Sequence, residues 1–93
     1  RPLDRYVDMI SASTYGRTIT FYTKMNQATR EQIIDNKPVI LEIKSNSANT
    51  LCSLPLSKLI INEYEATYKY VVLAMDGAYS FEYLIDKVKC ASI

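Results

Sequence analysis

Asp76-Gly77 follows directly on a run rich in tyrosine, threonine and valine. Such a dipeptide tolerates the positive φ angles of a two-residue type I′ turn, whose twist matches that of the strands it joins. It therefore constrains two segments at once. One is a strand from about Glu63 to Met75. The other is an antiparallel partner over Ala78 to Ile85, with Tyr79, Phe81, Tyr83 and Ile85 on one face. A helix from Ser80 to Lys89, striped by Phe81, Leu84, Ile85 and Val88, is the competing arrangement of the same residues.

Arg17 to Met25 alternates more plainly. Ile19, Phe21, Thr23 and Met25 share one face, and Thr18, Thr20, Tyr22 and Lys24 share the other. β-Branched and aromatic residues at period two predict a strand with one wet face. Ahead of it, Leu3, Tyr6, Val7 and Ile10 recur at helical spacing. With Pro2 suited to a first turn and Asp4 near the positive end of the helix dipole, this predicts a helix over Pro2 to Ala12. Asn26 to Asn36 reads as a short helix with a polar cap near Thr29, ended at Asn36-Lys37-Pro38. Val39 to Lys44 reads as a second strand with Val39, Leu41 and Ile43 inward, and Ser45 to Thr50 as a loop. Leu51 to Leu54 is expected to be extended. Leu56 to Ile61 is short and either helical or extended.

The expected architecture is α+β: a small single domain, residues 1–93, with a mostly antiparallel sheet of three or four strands packed by two or three helices. The sequence opens Arg1-Pro2, and it is expected to be a piece of a longer protein. Hydrophobic residues make up 48% and charged residues 23%, which is a globular rather than a disordered composition.

Composition also narrows the chemistry. There is no histidine, so Ser-His-Asp and Cys-His machinery and the usual catalytic zinc sites are excluded. No S-x-x-K pair occurs, and Thr14-Tyr15-Gly16-Arg17 has too few glycines to cradle a phosphate. The acid pairs Asp4/Asp8 and Glu63/Glu65 are read as solvated charges, because calcium and magnesium need more oxygens than two carboxylates supply. A non-catalytic protein with no metal and no cofactor is expected. The formal charge of +1 supplies no bulk attraction to nucleic acid or anionic lipid, and no apolar run is long enough to span a bilayer.

Cys52 and Cys90 are too few for a structural zinc site and too far apart for a redox pair. Two free cysteines, and hence an intracellular chain (cytoplasmic or nuclear), are expected. A secreted inhibitor or effector stapled by a Cys52–Cys90 disulfide is the alternative.

Eight tyrosines are the most unusual feature of the composition. Tyrosine packs its ring in a core while its hydroxyl reaches outward, and it is also enriched at interfaces. A protein–protein interaction or dimerisation domain is therefore expected, acting through an aromatic sheet face or a strand edge. Tyr22, Ile40, Tyr68 and Tyr70 are its candidate contact residues, each at least half exposed in the monomer. Thr18–Met25 or Val39–Lys44 is the candidate edge strand. The partner would be another protein or a second copy of the chain, with no membrane involved. A single-stranded nucleic-acid module stacking bases on Tyr22, Tyr68 and Tyr70, with Lys24, Lys44 and Lys69 on phosphates, is the alternative of a different class.

Overall fold

Gly16 takes φ 59° and closes a two-residue turn with Arg17, so the chain doubles back on itself almost at once. The strands it joins are β1 (Val7–Tyr15) and β2 (Thr18–Met25), paired antiparallel. The computed structural model describes residues 7–92. The helix expected over Pro2 to Ala12 is thus corrected from Val7 onward, and Pro2 to Tyr6 lie outside the described residues. The misleading feature is Ile10. It bulges out of the β1–β2 ladder between Met9 and Ser11, and so mimics helical spacing after Tyr6 and Val7.

Three helices separate β2 from the next strand. The first, α1 (Arg30–Ile34), starts as the sequence suggests. The Thr29 hydroxyl accepts from Gln32 N at 3.2 Å, and Thr29 N donates to Gln32 Oε1 at 2.9 Å, a reciprocal capping box. The second, α2 (Lys37–Ser53), replaces the expected strand at Val39–Lys44, the loop at Ser45–Thr50 and most of the extended piece after it. Pro38 begins this helix instead of ending the previous one; its missing N–H costs nothing in a first turn. Asn36 Oδ1 accepts from Val39 N at 3.4 Å and caps the same end. Ile43, Ala48 and Leu51 are buried along α2, so packing outweighs the turn preferences of Ser45 to Asn49. Leu54 is extended (φ −76°, ψ 126°) and hinges α2 to α3 (Pro55–Glu63).

β3 (Thr67–Leu73) then pairs parallel to β2, and β4 (Tyr79–Ile85) pairs antiparallel to β3. The sheet order is β1-β2-β3-β4, mostly antiparallel, as expected from the sequence. The Asp76-Gly77 hairpin is present, with a different turn. Ala74 and Ala78 close the ladder at 2.7 Å around three residues, and Gly77 takes the left-handed position at φ 87°. Ser80 is skipped in the register between Phe81 and Tyr79, so Tyr79 faces away from Phe81, Tyr83 and Ile85. The chain ends in α4 (Lys87–Ala91), begun by Asp86, whose carboxylate accepts from Lys89 N at 2.9 Å.

All four helices among the described residues belong to an α+β domain whose apolar interior lies in two clusters. Met25, Ile33, Ile43, Val72 and Ala74 form one. Ala48, Leu51, Ile61, Tyr68 and Ile85 form the other. Across the inner face runs a row of rings: Phe21 stacks on Tyr70 at 5.3 Å, and Tyr70 on Tyr83 at 5.2 Å. Most tyrosine bulk on β3 thus serves packing. Beside the second cluster Cys52 and Cys90 form a disulfide with Cα atoms 5.5 Å apart, which corrects the expectation of two free thiols.

Candidate functional site, a groove between the first hairpin and α2

The helical layer does not cover the sheet evenly. Every residue of β1 after Val7 is exposed, whereas β3 is half-buried or buried throughout. Period-two alternation carries Val7 and Met9 to the inner face, beside Met25 and Thr23 of β2. Met9 remains 57% exposed there, a large apolar side chain on the side of the sheet that elsewhere packs helices.

Between this strip and α2 lies a groove of about 200 Å³. Thr23, Met25, Tyr70 and Val72 floor it, and Val7 and Met9 form one bank. Ile43, Asn46 and Ser47 of α2, with Tyr83, form the other. The lining is apolar with a few polar groups on one side, a composition suited to holding a hydrophobic side chain and orienting it. Tyr83 donates its hydroxyl hydrogen bond to Ser47 Oγ at 2.7 Å, tying β4 to α2. Burial pushes the Tyr83 hydroxyl up to about 12. Burial first, and then the neighbouring Tyr68, raise that of Tyr70. Both phenols stay neutral at physiological pH, so the groove offers hydrogen bonds and no charge.

The residues singled out from the sequence do not assemble into one surface. Tyr22 lies on the outer face of β2 at 37% exposure, while Tyr68 lies on the inner face at 5%. Tyr70 is half-buried within the ring row, and Ile40 is half-buried on α2 against the first apolar cluster. The expectation that all four are at least half exposed is therefore corrected. Tyr68 and Tyr70 supply core volume that Phe and Trp would otherwise provide. The lysines are similarly scattered. Lys24 and Lys69 are on the outer face, where Lys69 pairs with Glu82 at 3.1 Å. Lys44 sits on α2 with its ammonium 6.0 Å from the Phe81 ring. No common groove joins these cations to exposed rings. Among the described residues, no group of three or more metal-ligating side chains comes together.

Sequence reasoning missed Met9, Asn46 and Ser47, because it placed the first on a helix and the other two in a loop. The inward direction of Thr23 and Met25 was legible from alternation alone. The edges differ from expectation too: β2 is interior, Val39–Lys44 is helical, and β1 and β4 are the edges.

No protein-family model matches the chain, and no curated protein matches it. Two solved structures share the fold. One is the pilotin EpsS from the Vibrio vulnificus type 2 secretion system, with a TM-score of 0.74 and 13% identity over 92% of this chain and 73% of that one. The other is a candidate secreted protein from Pseudomonas aeruginosa, with a TM-score of 0.75 and 12% identity over 97% of this chain and 77% of that one. At 12–13% identity the likeness to both is one of fold. The expected intracellular location is overturned: a Cys52–Cys90 disulfide belongs to an oxidising compartment, outside the cytosol.

Proposed function

We propose that this chain is a non-catalytic, extracytoplasmic protein-binding module that holds an apolar part of a partner in the groove between β1–β2 and α2. The observation carrying the reading is the asymmetry of the helical layer, which leaves Met9 open above an apolar floor of Met25 and Val72. The disulfide supports the compartment. The fold shared with a type 2 secretion system pilotin supports a partner drawn from a protein-export assembly. A neutral groove with polar groups on one bank suits a peptide whose apolar side chains enter and whose backbone reaches Asn46 and Ser47.

A photoreactive phenylalanine analogue placed at Met9 tests this in extracytoplasmic extract of the source organism. The expected result is a covalent adduct to a defined polypeptide, absent when the same analogue replaces exposed Leu56 on α3. Equal labelling from both positions, or turnover of a substrate by the purified chain, overturns it.

A further inference from the structure

The two edges of the sheet are finished differently. At β4, the Arg30 guanidinium donates through Nε to the carbonyl of Tyr79 at 3.0 Å, and α4 follows directly on the strand. At β1 nothing comparable occurs among the described residues: the strand pairs with β2 alone, and no backbone hydrogen bond reaches its outward side. Beyond a bulge near its start, β1 also lacks the usual guards against strand addition. It contains no lysine, arginine or proline, and its one charge, Asp8, accepts from Asn26 Nδ2 at 3.0 Å. The bulge at Ile10 interrupts the strand near its start and leaves Ser11–Tyr15 as an uninterrupted register against Tyr22–Thr18.

Resting on the protein-binding reading, we propose that Ser11–Tyr15 takes up one extended, uncharged segment of another polypeptide as a fifth strand. Side-chain size on the two faces selects the occupant. Ala12 and Thr14 point toward the helical side, and both are small and exposed. The sheet is thinly covered there, so an incoming strand with bulky aliphatic residues at alternate positions fills the space beside Ala12 and Thr14, its side chains leaning over these small residues toward Phe21 and Ile19 of β2. On the other face Ser11 and Ser13 accept small or polar neighbours. A second copy of β1 fits poorly: self-pairing about Ser13 sets Ala12 against Thr14, small against small, and leaves the same space empty. Main-chain bonds supply affinity and the alternate side chains supply selectivity, as in other strand additions.

The test uses a synthetic heptapeptide of alternating threonine and valine ending in lysine. Two further peptides keep its side chains but carry N-methyl groups on one or the other alternate set of amides. Each is titrated to millimolar concentration while the protein's amide resonances and exchange rates are followed. The expected outcome is binding of the parent peptide with slowed exchange within Ser11–Tyr15. One methylated peptide should lose at least about tenfold in affinity and the other should bind as before, since only one edge of the peptide faces β1. Absence of binding, or equal binding by all three, overturns the proposal. So does a concentration-dependent dimer that protects the same amides without peptide. Shifts confined to Asn46, Ser47 and Tyr83 without slowed β1 exchange reject strand addition and leave the groove reading standing; cross-linking at Met9 reports on that reading separately.

Discussion

Tyr83 concentrates several roles in one side chain. Its ring extends the stacked row from Tyr70, and its hydroxyl reaches Ser47 on α2. Burial raises its pKa from about 10 in an unfolded chain to about 12 in the folded one. The native state therefore holds this proton more tightly than the unfolded state does. The associated stability is complete below pH 10 and is lost as pH climbs from about 10 to about 12. Stability measured by urea titration is expected to fall by on the order of 1 kcal/mol between pH 8 and pH 11 from this group, allowing for its partial solvent access. In Tyr83→Phe the fall is smaller, with Tyr70 still contributing in the same direction because burial raises its pKa as well. Parallel pH dependence in the two proteins refutes the assignment.

The elements show where local sequence decides and where packing does. β2 and the β3–β4 hairpin follow from alternation and from Asp76-Gly77, because the period-two signal coincides with β-branched and aromatic composition there. α2 was illegible for the opposite reason. Its first half, Val39-Ile40-Leu41, favours strands by composition, and its second half, Ser45 to Thr50, favours turns. Only the buried positions Ile43, Ala48 and Leu51, facing a sheet formed elsewhere, make it a helix. The groove shares this history, since one of its banks is α2 and the other is the strand mistaken for a helix. The disulfide fastens the end of α2 to α4, closing a loop of 38 residues. Loop-closure entropy for that length corresponds to about 4 kcal/mol. The double variant Cys52→Ala/Cys90→Ala is expected to unfold at lower denaturant, less stable by about 3–4 kcal/mol, with the loss shared by wild-type protein after reduction. An unchanged midpoint in both contradicts the bridge as a stabilising link.

At the scale of the molecule, two hairpins meet along a single parallel seam between β2 and β3. Main-chain bonds carry the seam past both strand ends, from Thr67 N to the carbonyl of Arg17 and from Met75 N to that of Ala28, each at 2.9 Å. Helices cover the seam, and β1 lies beyond them. Native-state hydrogen exchange is expected to be slowest at Phe21–Thr23 and Tyr70–Val72 and fastest at Ser11–Tyr15, because opening free energy follows burial. Uniform protection across β1 and β2 would argue instead for a single cooperative sheet.

Thr23 bonds the carbonyl of Val71 across 48 residues of chain, and that separation has a consequence for biosynthesis. The first hairpin is complete long before its neighbour has been made, so the nascent polypeptide carries Phe21 and Met25 with nothing to shield them. Contacts this distant close slowly, and exposed strands attract one another in the meantime. A chaperone that grips the emerging first hairpin would protect the segment most liable to clump.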